Sequence, residues 1–412
     1  MSSSIREVIA RAESVIDEFG HAASTRWQYR AAWGEFEGFC VRHGHVSVTD
    51  EAVSAFLLLV ADEYAQGKIR AWKYKLLRKA ALVLSEVSAT GTYAWKVTRQ
   101  SGPNDAIGVL RPVQEQFEEW LTGRALATAT RQLYATVSRT VLAWWPDHGV
   151  TEIAALSGAD MSAAVVFLGG RYRPGSMRTV LTAVRVLARF LEDRFGCAGL
   201  VRAVPGWRHR RVDTVRVLPG AWIDELVQTP DMSAPTGRRD RALLLLAART
   251  GLRPVDLAGL RLGDIDWREA RITLTQHKTG RVLTVPLLAD VGDAIAEYLL
   301  HDRPAGGDDH VFLRSQAPFT GLLASDSLYR VAARAFARVT TPPPCVTGHG
   351  FRVLRASFAT RMLQAGTPLP VISGALGHHD PSSAGRYLAA DEEAMRECCL
   401  DFTGIEPAGT RP

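Results

Sequence analysis

Paired cysteines, long apolar runs and alternating strand patterns are what this 412-residue chain has least of. Its five cysteines, Cys40, Cys197, Cys345, Cys398 and Cys399, are scattered, odd in number and never spaced CxxC. That argues against a disulfide framework or a zinc site and suits a reducing compartment. No apolar run approaches the roughly 20 residues that a membrane-spanning helix needs. The opening segment, MSSSIREVIARAESVIDEFG, carries charges throughout and lacks the apolar stretch of a secretory signal. A soluble intracellular protein is therefore expected. Charge of one sign is not dominant either. The formal charge of +6 and pI of about 9.2 permit a polyanionic partner without requiring one. What remains is an ordinary globular composition, 47% apolar with a mean hydropathy of -0.02, on a chain long enough for two or three domains.

Self-comparison supplies the first sign of organisation. STRWQYRAAWGEFEGFCVRHG (24–44) matches ATRQLYATVSRTVLAWWPDHG (129–149) at an offset of 105, so that Thr25, Arg26, Tyr29, His43 and Gly44 recur as Thr130, Arg131, Tyr134, His148 and Gly149. Further on, DEAVSAFLLL is echoed by GADMSAAVVFL, and RAWKYKLLRKAALVLSEV by GSMRTVLTAVRVLARFLED. Apolar residues recur at three-and-four spacing in both copies, which predicts two copies of one small helical domain.

The segment VRAVPGWRHRRVDTVRVLPGAW (201–222) follows, bounded by Pro-Gly pairs and rich in Arg and Val. It reads as a linker carrying Arg202, Arg208, Arg210, Arg211 and Arg216. Such a linker could track a phosphate backbone, or simply be a solvated connector. Beyond about residue 215 the texture changes. DRALLLLAARTG predicts a buried helix with a Gly stop, and VDLAGLRLGDIDW a second helix closing into a turn. EARITLTQHKTGRVLTVPLL predicts a hairpin around a Thr-Gly turn, with helices after it.

Four pieces of this last region carry charged groups suited to chemistry. ARTGLRPVDLAGLRLGDID sets Arg253 after a Thr-Gly pair, with Asp256 one turn on where it can orient the guanidinium. QHKTGR puts Lys278 at a hairpin tip, and GHGFRVLRASFATRM carries His349, Arg352 and Arg355 three residues apart. LGHHDPSSAGRYL holds His378 and Tyr387 nine residues apart. Taken in order, these pieces resemble the tyrosine recombinase (phage integrase-like) family: an Arg in TGLR, a hairpin Lys, an H-x-x-R-type helix with FAT, an LGH triplet and a Tyr nine residues after its His. The resemblance spans roughly residues 215–400.

The resemblance implies phosphoryl transfer on DNA with neither metal nor other cofactor. Tyr387 would attack a phosphodiester to give a 3′-phosphotyrosine and a free 5′-hydroxyl, keeping the bond for religation. Two Arg forks would neutralise the non-bridging oxygens in the transition state. Lys278 would give the leaving oxygen its proton, and His378 would bind a phosphate oxygen or assist proton transfer from Tyr387. A free phenol has a pKa of about 10, so nearby cations should favour the phenolate.

Two registers compete in the Arg helix. His349-Gly-Phe-Arg352 matches H-x-x-R by letter, whereas Arg352-Val-Leu-Arg355 matches only by position. In the family the second Arg precedes the FAT segment and lies 23 residues before the LGH His, as Arg355 does here. Choosing Arg352 would require a three-residue insertion in a helix, rotating the remainder by about 60°. Arg355 is therefore assigned as the second catalytic Arg. Arg352 then stands where the family usually has His or Lys and serves electrostatically, or His349 reaches in from one turn earlier.

The expected architecture is mainly α. Tandem small helical, SAM-like core-binding domains (1–107 and 108–200) and a basic linker (201–219) lead to an α+β catalytic domain with a small antiparallel sheet (220–412). Its tail, DEEAMRECCLDF, is expected to form a short amphipathic helix packed in cis or docked on a neighbouring protomer. By resemblance the partners are double-stranded DNA and other protomers, as a homo-oligomer (a tetramer at synapsis) or with related recombinases, in the bacterial cytoplasm at the nucleoid. The expected activity is site-specific recombination in integration, transposition or excision of a mobile element. Strand relaxation of the type IB topoisomerase kind and a non-catalytic DNA-binding derivative of the fold are the alternatives.

Overall fold

The computed structural model describes residues 4–94, 109–207, 216–306, 308–322, 327–340, 350–378, 384–385 and 387–388. His349, Arg208, Arg210, Arg211 and the tail segment lie outside the described residues.

The first helical copy consists of α1 (Ile5–Glu18), α2 (Ala23–His43), α3 (Asp50–Ala65) and α4 (Ala71–Thr90). Each start and stop has a local cause. Ser4 and Glu7 form a capping box at α1, and Thr49 caps α3 by accepting from the Ala52 N–H at 3.2 Å. Gly44 ends α2 in the left-handed region. The core is aromatic: Phe36 and Phe39 meet Phe56 at ring distances of 5.1 and 5.3 Å, and Trp33 donates its indole N–H to the Ala80 carbonyl.

The second copy repeats this plan with α5 (Arg111–Thr122), α6 (Thr128–Trp144), α7 (Gly158–Arg171) and α8 (Pro174–Phe195), then adds the short α9 (Leu200–Ala203). The repeated histidines behave alike. His43 stacks on Phe39 at 4.3 Å and bonds its carbonyl, while His148 stacks on Trp144 at 3.9 Å and bonds that carbonyl. The sequence match thus reports a shared local device as well as shared apolar spacing.

The expected linker is shorter than 201–219. Leu200 and Val204 are buried in the second copy's core, and the Trp207 indole donates to the Pro174 carbonyl at 3.1 Å. Arg202 accordingly sits on α9 rather than on a connector. At the other end, the Leu218 N–H donates to Ser357 Oγ at 2.8 Å, so the C-terminal region begins before residue 220. Leu200 and Val204 precede the first Pro-Gly pair, and the second pair opens the helix Gly220–Gln228, so both pairs border packed chain.

Residues 1–95 together with 213–412 form one compact unit, and 96–212 form the other. Although the first copy has its own core, it packs with the C-terminal region. A Cβ on Gly20 would touch the Phe319 ring at 3.7 Å, and Lys79 and His21 approach Arg314. Burial and the Arg314 charge together push the Lys79 ammonium down to about 8, and the His21 imidazole is also held below its usual value.

The C-terminal region is built around α11 (Gly237–Thr250), whose central residues are buried on every side. Helices α10 (Gly220–Gln228), α13 (Ala289–His301) and α15 (Phe351–Gln364) pack against it, and α14 (Ser327–Phe336) extends the layer. Strands β1 (Ile265–Asp266), β2 (Arg271–Thr275) and β3 (Val282–Pro286) form an antiparallel sheet in that order, with Thr273 opposite Thr284. Ile272, Leu274, Leu283 and Val285 face the core while the residues between them face out. Strand β1 was not expected; two residues are too few to show a period. Helices α12 (Pro254–Gly259) and α16 (Leu369–Ala375) are short pieces that carry the site.

Since each helical copy has a core of its own, a core deletion should act locally. Phe36→Ala is expected to cost about 3–5 kcal/mol, measurable as an earlier guanidinium unfolding transition of the full chain.

Candidate active site

Helix α11 stops at Gly251, whose φ of 62° and closeness to Phe358 exclude a side chain; a Cβ there would lie 2.6 Å from the ring. The turn delivers Arg253 to the N-cap of α12, with Pro254 fixing the first helical residue. Arg253 is largely buried and donates from Nη2 to the Gly377 carbonyl at 3.2 Å.

Asp256, in the first turn of α12, has a side chain with no exposure. Asp256, expected to orient Arg253, approaches it as an ion pair at 3.8 Å. Its hydrogen bond goes elsewhere: Oδ1 accepts the backbone N–H of His277 at 2.9 Å, fastening the β2–β3 turn to α12. Inside that turn Gln276 is fully buried. It donates from Nε2 to the Leu376 carbonyl at 3.2 Å and accepts the Thr279 hydroxyl at 2.8 Å. Lys278 stands exposed between these anchors. A cation with a flexible stem is thus carried on a turn whose base is fixed.

Helix α15 presents its two arginines differently. Arg352 is exposed, and Arg355 is buried. Arg355 donates from Nη1 to the Gly251 carbonyl at 2.7 Å and from Nη2 to the Leu376 carbonyl at 3.0 Å. The Tyr387 hydroxyl lies near enough to favour its charged form. Burial first, and the Arg253 charge second, lower its pKa to about 10. Two guanidiniums held together away from water repel each other, and an anion between them would relieve that repulsion.

Helix α16 ends in the Leu376-Gly377-His378 turn. Gly377 has a φ of 60°, and any Cβ there would overlap the Gln276 amide. Tyr387 is buried among Ala356, Ala359, Ile372, Leu376 and Ala384, and its ring lies nearly parallel to that of His378, centroids 6.2 Å apart at 13°.

Arg253, Asp256, Arg355, His378 and Tyr387 therefore converge on one turn, with Lys278 on a loop anchored to it. Arg352 lies on the exposed face of the same helix. Arg216 is exposed at the start of the catalytic region, and Arg202 belongs to the other compact unit. Sequence reasoning missed Gln276 and Gly377. An amide ending an otherwise alternating strand, and a Gly just before the candidate His, were the available signals.

The phage integrase family pattern matches residues 216–394. The chain is 32% identical over 283 residues to the integrase/recombinase y4rA of Sinorhizobium fredii (strain NBRC 101917 / NGR234), covering 68% of each. It is 28% identical over 277 residues to the tyrosine recombinase XerD of Lacticaseibacillus casei, covering 64% of this chain and 88% of that one. Among solved structures, the XerH site-specific recombinase bound to a palindromic difH substrate in a post-cleavage complex has a TM-score of 0.55 at 16% identity, covering 69% of this chain and 83% of that one. That likeness is one of fold.

If the Gln276 amide ties the hairpin to the Leu376 turn, Gln276→Leu should cost about 1–3 kcal/mol through the groups it leaves unpaired. Gly377→Ala should cost at least as much, through the overlap and its left-handed backbone. Denaturant unfolding of the two full-length variants measures both.

Proposed function

Because the chain belongs to the phage integrase family of tyrosine recombinases, we propose that it is a site-specific recombinase that cuts and rejoins duplex DNA through a 3′-phosphotyrosine, in integration, transposition or excision of a mobile element. The observation that carries this reading is buried Tyr387 lying near the buried guanidinium of Arg355 and beside the His378 ring.

The chemistry follows from what each group can donate. Arg355 has five N–H donors. Two are spent on the Gly251 and Leu376 carbonyls, and these fix the plane of the fork. The rest are left for Tyr387 and for a phosphate beside it. Arg253, oriented by the Gly377 carbonyl and Asp256, supplies the second fork. A phosphodiester entering this pair trades mutual cation repulsion for charge-assisted hydrogen bonds, and these strengthen as negative charge builds on the non-bridging oxygens.

Tyr387 then attacks phosphorus in line, and the 5′-oxygen leaves with a proton from Lys278 on its anchored turn. His378 holds a phosphate oxygen or receives the Tyr387 proton. Arg352, exposed one turn before Arg355, contributes field rather than proton transfer, because a guanidinium stays protonated near neutral pH. His349 and the Arg202, Arg208, Arg210, Arg211 and Arg216 series serve as outlying contacts. The working assembly is a homo-oligomer, a tetramer at synapsis, or a complex with related recombinases. The recombinase fold-neighbour captured on its cleaved DNA supports duplex DNA as the substrate.

A nicked suicide duplex carrying the element's end should trap a covalent protein–DNA adduct, resolved as a shifted band on denaturing gels. Tyr387→Phe should form none, and an adduct persisting in that variant would overturn the assignment. Arg355→Ala should reduce cleavage below detection, whereas Arg352→Ala and His349→Ala should lower its rate by smaller factors in the same assay.

A further inference from the structure

We infer that Gln276 is a positioning residue for strand cleavage: its amide registers the turn that carries Lys278 on the carbonyl that also holds Arg355, and so keeps the ammonium within reach of the leaving 5′-oxygen. The inference rests on the recombinase reading and gives a role within it to a fully buried side chain.

The β2–β3 turn is closed by its own backbone. The Gln276 N–H donates to the Arg281 carbonyl at 2.8 Å, and the Gly280 N–H to the Gln276 carbonyl at 2.8 Å. These bonds fix the shape of the turn but not its place, because all their atoms move with the hairpin. Among the described residues, two ties to other elements set the place. The His277 N–H donates to Asp256 Oδ1 on α12 at 2.9 Å, and Gln276 Nε2 donates to the Leu376 carbonyl at the end of α16 at 3.2 Å. Lys278 follows directly after these two residues. On its other side, the Thr279 hydroxyl donates to Gln276 Oε1 at 2.8 Å. The amide therefore acts in both directions, outward to the neighbouring turn and back across the residue that carries the cation.

The outward tie ends on a shared oxygen. The Leu376 carbonyl also accepts Arg355 Nη2, at 3.0 Å. One atom thus sets the spacing between the fork that would hold the phosphate and the turn that would deliver the proton. A Cβ on Gly377 would lie 2.3 Å from Gln276 Nε2, so the amide is packed against bare backbone. A buried Leu at this position would fill similar space, but apolar contact is non-directional, whereas a buried amide with both ends bonded is held in one orientation. Stability alone does not call for the amide, since a buried hydrogen bond gives only a modest net gain. What the amide adds is registry.

Registry matters because of the reaction. As the bond between the Tyr387 oxygen and phosphorus forms and the P–O5′ bond breaks, O5′ takes a proton from the Lys278 ammonium, which is left as a neutral amine. The phenol proton passes to His378 or to water. A proton donor must stand about 2.6–3.2 Å from its acceptor, and a misplacement of about 1 Å caused by a change away from the chemistry can cost about 100-fold. The Lys278 stem is flexible, so the place of its backbone decides how often the ammonium lies in that range.

Sulfur in place of the 5′-bridging oxygen separates this role from a structural one. A thiol has a pKa of about 8.5, whereas an alcohol resembles water at about 15.7, so a sulfur leaving group departs without the proton. Full-length protein is mixed with the nicked suicide duplex, made with oxygen or sulfur at the scissile position, and single-turnover cleavage is followed at saturating protein. Gln276→Met should slow cleavage of the oxygen substrate at least about 10-fold, toward the roughly 100-fold of a misplaced donor. Its rate on the sulfur substrate and its affinity for the duplex should stay near those of the unsubstituted protein, and Lys278→Ala marks full loss of the donor. Thr279→Val should show the same selective loss to a smaller degree and Thr279→Ser should restore it, a pair that carries the test if Gln276→Met unfolds. Equal losses on both substrates, in variants folded at the assay temperature, would overturn the inference and leave the recombinase reading standing. Unchanged rates on the oxygen substrate in both Gln276→Met and Thr279→Val would do the same. Cleavage of neither substrate by the unsubstituted protein would instead overturn the recombinase reading, and the inference with it.

Discussion

A buried guanidinium is tolerable only if acceptors surround it, and the site is organised by how Arg355 meets that condition. Two of its N–H groups end on backbone carbonyls, Gly251 at the end of α11 and Leu376 at the end of α16. Helix ends are where unpaired carbonyls are found, so the fold brings two of them to one cation. The same Leu376 carbonyl also receives the Gln276 amide, and its neighbour Gly377 receives Arg253. One turn of chain thereby fixes both arginines, the hairpin and the position of His378.

This arrangement uses backbone acceptors in place of carboxylates to hold the arginines. A carboxylate in full contact with either fork would neutralise it and compete with a phosphate. Asp256 illustrates the alternative. It stays 3.8 Å from Arg253 and gives its hydrogen bond to the His277 N–H, so it shapes the site while leaving the guanidinium's donors available. The lowered pKa of Arg355 records the cost of keeping two cations close in a dry site, which is the condition under which an incoming anion is most strongly favoured.

Much of this was legible in the sequence, because it depends on order and spacing. Gly251, Arg253 and the LGH triplet are local signals, and the 23-residue interval selects Arg355 over Arg352. In the structure Arg355 is buried and Arg352 is exposed, a difference that spacing alone does not reveal. The helical duplication was legible for the same reason: the repeated His-Gly ending reflects one way of closing a helix. Contacts between distant segments were not legible. Gln276 and Leu376 are 100 residues apart, and nothing near either announces the other. The linker was overextended because Pro and Gly punctuate packed turns as well as connectors, and only burial of Leu200 and Val204 distinguishes the two.

The position of the first helical copy adds a constraint on the active region. It packs with the catalytic region, where Gly20, His21 and Lys79 approach Arg314 and Phe319. Lys79 lies on the same helix as the exposed Arg70 and Lys75, so α4 faces the catalytic region with one side and water with another. Burying Lys79 near Arg314 is unfavourable for its charged form, and the opposed cations favour docking less as the pH falls.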